Sequence, residues 1–337
     1  MKRIKRISHI SYILYVLALG LVMSSCNGAK MSVADEQMER GEYFDAAKTY
    51  RKIYNKLKPR EQRAQRAEVA YKMAECHSRL GQDARAAAAY QNALRYGYPD
   101  SSIVLRLAQS LHGQGAYPQA VKAYEEYLAL YPTDANAARQ LAGARKAAEL
   151  KKNKTRYVVR NATLFNSRRS DFAPMFNGDV LYFTTTNEKV KGTARSEITG
   201  MKRGDIWMAR KNELGAWQRP DPVEGELNSE WDEGICSFSP DGSTMYLTRA
   251  IRKPSSNTGT EIYTSRRSDA QWSAPVKLEI TADTLSSYGH PAVSPSGEWL
   301  YFSSDMPGCG GKDLWRINLH ERAGSLENLG EAINTPG

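Results

Sequence analysis

Gly115-Ala116-Tyr117-Pro118-Gln119-Ala120-Val121-Lys122-Ala123-Tyr124 is the stretch from which the first half of the chain can be read. The same pattern recurs upstream as Gly81-x-Asp83-x-x-Ala86-x3-Tyr90 and as Gly41-x-Tyr43-x-x-Ala46-x3-Tyr50. The glycines lie 40 and 34 residues apart, a period that belongs to stacked helical hairpins. Glycine suits the turn because it accepts a positive φ, and an Ala and a Tyr four residues apart share one face of the helix that follows. Ala74 and Ala108, seven residues before the second and third glycines, put small side chains where two helices must approach closely. The first unit shows no clear small residue in its leading helix and is followed by a longer insertion around Pro59. A helix over 134–152, polar on its outer side, closes the array.

From about Tyr157 the apolar period changes from 3.6 to 2, and Gly, Pro, Asn and Ser collect between short alternating runs. Three units align. They share a Tyr-Phe or Tyr-Leu pair at Tyr182-Phe183, Tyr246-Leu247 and Tyr301-Phe302. Each continues into an acidic-aliphatic-aromatic triplet: Asp205-Ile206-Trp207, Glu261-Ile262-Tyr263 and Asp313-Leu314-Trp315. The turn before the pair reads Ser239-Pro240-Asp241-Gly242 in the second unit and Ser294-Pro295-Ser296-Gly297 in the third. The first has Phe176-Asn177-Gly178 there instead. Pro presets φ and Gly accepts a positive one, so these are turns between antiparallel strands. Each unit is therefore expected to be a four-stranded sheet.

Composition bounds the alternatives. The chain has 337 residues, 41% hydrophobic and 25% charged, which is enough apolar matter for two cores and excludes global disorder. Its four cysteines, at 26, 76, 236 and 309, form no C-x-x-C, so neither a zinc ribbon nor a disulfide scaffold is expected. Residues 27–155 hold 22 basic and 14 acidic side chains, whereas 156–337 hold 21 and 23. That asymmetry separates two surfaces of different character. The basic charges of the first are scattered over helix faces, which fits solvated helices, an acidic partner or anionic headgroups, and no nucleic-acid partner is expected.

The start of the chain reads as an address. Lys2, Arg3, Lys5 and Arg6 precede an apolar stretch from Ile10 to Met23, followed by Ser24-Ser25-Cys26. The stretch is too short and too abruptly ended for a stable transmembrane helix and matches a secretory leader. Leu21-Val22-Met23-Ser24-Ser25-Cys26 resembles a bacterial lipobox, although Met23 stands where Leu is usual. The resemblance implies acylation of Cys26, and several acyl chains together would hold the protein firmly to a bilayer. By the same resemblance, the lack of Asp directly after the cysteine implies the outer membrane, and the absence of an acidic cluster there implies its periplasmic leaflet.

Motifs of catalysis are not found. There is no His-Glu-x-x-His and no Gly-x-Ser-x-Gly, and no Ser-x-x-Lys with supporting partners. His77, His112, His290 and His320 do not pair at ligand spacing. Gly308-Cys309-Gly310-Gly311-Lys312 lacks the spacing and the Ser/Thr of a phosphate loop and is read as a connection. Cys76 and His77 are read as packing residues. Neither an enzyme nor a cofactor, catalytic residue or metal site is expected.

The helical repeat resembles the tetratricopeptide repeat, and the strand repeat resembles TolB/WD-like propeller blades. Together they imply an α + β multidomain chain: an α-helical tetratricopeptide solenoid followed by an incomplete all-β propeller. The boundaries read as 1–25 leader, 26–32 lipidated tether, 33–155 helical array with its capping helix, and 157–337 about three blades. Closed propellers have about 4–8 blades, so the sheet region is expected to be truncated or open at its edges. Leu329-Gly-Glu-Ala-Ile333-Asn334-Thr335-Pro336-Gly337 resembles the outer strand that leads into another blade.

By the geometry of the tetratricopeptide family, a groove lined by the leading helices would present Tyr71, Glu75, Arg79, Gln109 and His112 to a peptide or partner. These positions are expected not to hold the stack together. Leader, helical array and blades follow one another in the order of PorE-like outer-membrane lipoproteins of the type IX secretion and gliding machinery. That order implies a non-catalytic periplasmic scaffold, anchored through lipid and bound to other envelope or secretion proteins. Peptidoglycan would be bound only through a C-terminal OmpA-like domain, which these residues do not contain. The alternatives are a TolB-like envelope-integrity protein or the recognition part of an extracytoplasmic hydrolase with its catalytic domain elsewhere.

Overall fold

The computed structural model describes residues 30–153, 155–252, 258–269 and 271–335. They fall into two compact units divided between Val158 and Val159, with Glu197–Gly200 grouped with the first. The expected leader, residues 1–25, and Cys26 lie outside the described residues.

The first unit is helical. A segment over 30–39 (α1) is followed by α2 (Tyr43–Lys56), α3 (Arg63–Arg79), α4 (Asp83–Arg95), α5 (Ile103–Gly113), α6 (Tyr117–Leu130) and α7 (Ala135–Lys152). Gly41, Gly81 and Gly115 turn the three hairpins at φ of +76°, +64° and +82°, a region that side chains bearing a Cβ rarely enter. On the far side of each turn Ala46, Ala86 and Ala120 are fully buried, and so are Tyr50, Tyr90 and Tyr124. Burying such an aromatic contributes on the order of 2 kcal/mol. Ala74 and Ala108 are likewise 0% exposed, which lets the paired helices close up. The first hairpin obeys the same rule, contrary to the sequence reading. Ala34 lies seven residues before Gly41 and is 0% exposed, but the run around it is too polar for its alanine to stand out. α7 starts where Asp134 accepts hydrogen bonds from the backbone N–H groups of Asn136 and Ala137, at 3.0 and 2.9 Å.

The second unit consists of three antiparallel sheets in chain order. The first contains β1 (Asp171–Asn177), β2 (Val180–Thr185), β3 (Asp205–Ala209) and β4 (Asp221–Pro222). The second contains β5 (Glu233–Phe238), β6 (Thr244–Arg252), β7 (Thr258–Ser268) and β8 (Gln271–Trp272), with a fifth short strand, β9 (Val276–Lys277), also paired to β7. The third contains β10 (Tyr288–Val293), β11 (Trp299–Ser304), β12 (Asp313–Asn318) and β13 (Glu327–Asn328). Four strands per unit were expected, and the middle sheet's extra strand was not. Consecutive sheets pack on one another, and among the described residues they close no ring.

The Tyr-Phe or Tyr-Leu pair of each unit sits on the second strand. Tyr182 is fully buried between Phe238 and Trp272 of the next sheet, with ring centroids 4.9 and 6.2 Å away. Leu300, Phe302, Tyr288 and Ile262 form the following core, with Tyr246 half-buried against it.

A device invisible in the sequence joins the sheets. Each first strand is interrupted by a bulge at the same place, and Ala173, Ile235 and His290 there have φ of 53°, 47° and 57°. Left-handed backbone costs a residue with a Cβ about 1–2 kcal/mol. The bulges of the second and third sheets offset this by aiming a backbone N–H at the preceding sheet. Ile235 donates to Thr184 Oγ1 at 3.1 Å, and His290 donates to Thr248 Oγ1 at 2.9 Å. Gly234 precedes its bulge where Thr184 occupies the space a Cβ would need, and at Gly289 a Cβ would fit only tightly, 3.3 Å from both Thr248 and Thr260.

Candidate functional site

The candidate surface is the face built by the leading helices α1, α3, α5 and α7. Its chemistry begins with the three buried tyrosines. Tyr50 donates its hydroxyl to Asp35 Oδ1 and Tyr90 donates to Glu75 Oε1, both at 2.5 Å. In both pairs the acid lies 15 residues before the tyrosine, on the leading helix of the same hairpin. Burial first, then the neighbouring carboxylate, pushes both phenols well above their usual range. The third hairpin carries Gln109 at the equivalent position, and Tyr124 instead meets His112 Nδ1 at 3.3 Å. Burial alone pushes Tyr124 up to about 12.

The same three positions also connect successive leading helices. Lys72 Nζ donates to Asp35 at 2.9 Å, Arg106 Nε lies 4.0 Å from Glu75, and Gln109 Nε2 donates to Gln140 Oε1 at 3.2 Å. The result is a ladder of polar rungs running from α1 through α3 and α5 to α7. Two of its rungs are ion pairs at partly exposed sites, worth about 0–1 kcal/mol each. Its value is therefore registry and a patterned surface more than stability.

The structure thus assembles four of the five expected groove residues around this ladder, and it changes what they do. Tyr71 is half-buried in the helical core and stacks on Tyr98, with ring centroids 4.3 Å apart and planes 14° apart. Glu75 is bound by Tyr90 and faces Arg106. Gln109 is a rung, and His112 packs edge-on against Tyr117 and Tyr124. The expectation that these positions do not hold the stack together is corrected for Tyr71 and Glu75, because both are packed or bonded within it. Arg79 is exposed in the last turn of α3 and is the freest of the five to meet a partner. Asp35, Lys72, Arg106 and Gln140 were missed; the fixed 15-residue offset from each repeat tyrosine would have found Asp35.

Cys76 and His77 behave as packing groups. Cys76 is 0% exposed, and burial followed by the charge of Glu75 pushes its thiol up to about 12. His77 Nδ1 lies 3.0 Å from Gln82 Oε1, and burial lowers its basicity. Cys309 is half-exposed in its connection, where burial and then Asp313 raise its pKa. Among the described residues no group of three His, Cys, Asp or Glu side chains is placed to hold a metal ion. No helix among them is long and apolar enough to cross a membrane.

A second concavity of about 410 Å³ lies on the first sheet, walled by Phe165, Phe183, Trp207, Glu188, Lys189 and Arg219. The buried indole N–H of Trp207 has no partner there, but Trp315 repeats that condition in the third sheet. It is a recurrent trait of the sheets and does not single out a ligand site.

Residues 68–101 and 104–134 match the family model of the tetratricopeptide repeat. The chain contains tetratricopeptide repeats. The match spans α3 to α6, while the first hairpin, which shares their geometry, lies outside it. Solved structures with a similar helical region include the first tetratricopeptide domain of Spaghetti (RPAP3) bound to an HSP90 peptide. It is 18% identical, with 36% of this chain and 93% of that one covered and a TM-score of 0.31. Another is the Sgt2 tetratricopeptide domain from Aspergillus fumigatus, at 19% identity, 40% and 89% coverage and a TM-score of 0.31. A third is a tetratricopeptide-like protein from Chlorobium tepidum, at 20% identity, 37% and 94% coverage and a TM-score of 0.28. No curated protein matches the chain.

Proposed function

We propose that this protein is a non-catalytic scaffold of the bacterial envelope, held to the periplasmic leaflet of the outer membrane by acylated Cys26 and binding protein partners through its tetratricopeptide array. Two matched repeats carry the reading of a protein–protein interaction module. Such repeats stack through nearest-neighbour contacts and leave one long face for a partner. Here that face carries the polar ladder and exposed Arg79. The sheet region is read as TolB/WD-like propeller blades, because three sheets repeat one four-strand order, with a fifth strand in the middle one, and the second and third share the same bulge-to-threonine junction. With the leader and Cys26, this order of parts supports a place among PorE-like lipoproteins of type IX secretion, whose partners would be other envelope or secretion proteins.

A photo-crosslinking residue placed in the full chain at Arg79, and separately at exposed Leu314 on the third sheet, tests the binding reading. Envelope proteins captured at Arg79 support it; capture at Leu314 alone moves the binding surface to the sheets. Palmitate labelling that disappears with Cys26→Ala supports the anchor, whereas an unmodified Cys26 in membrane-bound wild type rejects it.

A further inference from the structure

We propose that the cationic end of the first helical hairpin is a membrane-contact surface that rests on anionic phospholipid headgroups. For its orientation this inference rests on the reading of Cys26 as the acylation site.

Residues 48–60 contain six basic side chains and no acid. Lys48, Lys52 and Lys56 recur every four residues along α2, so they share one face of that helix, with Arg51 beside them. Lys58 and Arg60 extend the stripe into the turn that follows. All six are exposed. Among the described residues only Lys58 is ion-paired, to Glu61 at 2.9 Å, and no carboxylate pairs with the other five. The other cations nearby are committed to the fold. Arg63 donates to the carbonyls of Arg95 and Tyr96, and Arg66 to those of Tyr54 and Leu57. Acids on the later turns at this end are engaged too: Asp100 binds Ser102, and Asp134 caps α7.

Topology places this charge beside the expected anchor. α1 and α2 run antiparallel, as the bonds Tyr50–Asp35 and Thr49–Gln37 show, so residue 30 lies level with the end of α2. Met31 packs in the same cluster as Leu57. Cys26 is four residues before residue 30, a reach of at most about 14 Å. An acyl group on Cys26 therefore brings Lys52, Lys56, Lys58 and Arg60 to the bilayer surface, whereas Lys151 and Lys152 at the end of α7 point to the opposite end of the array. Lysines and arginines near anionic headgroups are attracted within about a Debye length, and acyl and polybasic signals reinforce each other. Such a surface would fix the orientation of the array, which a flexible lipid tether alone leaves free.

The chain without its leader, residues 26–337 carrying Cys26→Ser, is tested by cosedimentation with vesicles. One set is phosphatidylcholine, and the other has roughly one phosphatidylglycerol in three lipids. The expected result is binding to the second set only, decreasing as salt rises. Changing Lys52, Lys56, Lys58 and Arg60 together to Gln should weaken it by about tenfold or more, with the helical circular dichroism unchanged. Changing Lys151 and Lys152 to Gln should leave it intact. Indifference to phosphatidylglycerol, insensitivity to the fourfold variant, loss through the α7 variant, or capture of an acidic protein without vesicle binding would each overturn the proposal. Palmitate labelling of the full chain in cells is read separately. Vesicle binding without labelling sinks the anchor and leaves the surface standing, and labelling with vesicle indifference does the reverse.

Discussion

Tyr90 and Glu75, 15 residues apart on the two helices of one hairpin, meet hydroxyl to carboxylate at 2.5 Å, and the same Glu75 oxygen lies 4.0 Å from Arg106 Nε of the next leading helix. One acid thus links the core of its own repeat to the surface shared with its neighbour. Tyr50 and Asp35 repeat the arrangement one hairpin earlier, with Lys72 as the neighbour. The partner-facing surface and the inter-repeat packing are consequently not separable at this position.

Tyr90→Phe keeps the buried ring and removes only the hydroxyl. A hydrogen bond to a charged group contributes about 1.5–3 kcal/mol, so the loss in chemical-denaturation stability is expected in that range. Glu75→Ala leaves the buried hydroxyl unsatisfied and should cost at least as much. Equal stability of Tyr90→Phe and wild type would show that the contact is not formed in solution.

Gly234→Ala and Gly289→Ala test the junctions between sheets. A Cβ on Gly234 would sit 2.7 Å from Thr184 Oγ1, whereas one on Gly289 would meet Thr248 at 3.3 Å. Overpacking of this kind costs about 1–3 kcal/mol. Gly234→Ala should lie at the upper end and Gly289→Ala near the lower, read as a difference in melting temperature. The reverse order would contradict this packing.

Asn228 holds the backbone of Ile206 at both groups, accepting from its N–H at 2.8 Å and donating to its carbonyl at 2.9 Å. Asn334 holds Leu314 in the same way in the third sheet. Asn228→Ala should cost about 1–3 kcal/mol, because the buried Ile206 N–H loses its partner while the carbonyl keeps the Val223 N–H at 3.2 Å. Asn228→Asp keeps one bond and buries a charge, so it should not rescue the loss at neutral pH. Hydrogen exchange at the Ile206 amide is the direct measurement.

Asp241 gives a pH dependence of known sign. Hydrogen bonds from Ser239 and Ser243 lower its carboxyl to about 2, against 3.8 when unperturbed. A lowered acid contributes stability above its unfolded value, and that contribution is lost as the pH falls through the folded one. Asp241→Asn should therefore melt below wild type at pH 5, and the two should converge as the pH approaches about 2. A constant gap across that interval would mean the turn is held by other bonds.

The helical half was legible because its periodicity is a local property. Gly81, Ala86 and Tyr90 sit at fixed offsets, and a turn that needs a positive φ followed by an apolar stripe permits few solutions. Cys76, Ala74 and Ala108 were read correctly as packing residues on the same ground. Asp35 and Lys72 were not, since a polar residue on a helix looks the same whether it faces water or a partner one repeat away. Tyr71 and Glu75 show the converse. Family geometry pointed both toward the groove, and contacts from Tyr98 and Tyr90, distant in sequence, drew them into the stack.

For the strand region the sequence by itself determined the number of units, their turns and the pair on each second strand, because alternation and Ser-Pro-Asp-Gly chemistry act within a few residues. Only the tertiary structure decided the bulges at Ala173, Ile235 and His290. A left-handed alanine, isoleucine or histidine has no local preference to announce it, and in the second and third sheets its cost is offset by a threonine more than 40 residues earlier in the chain.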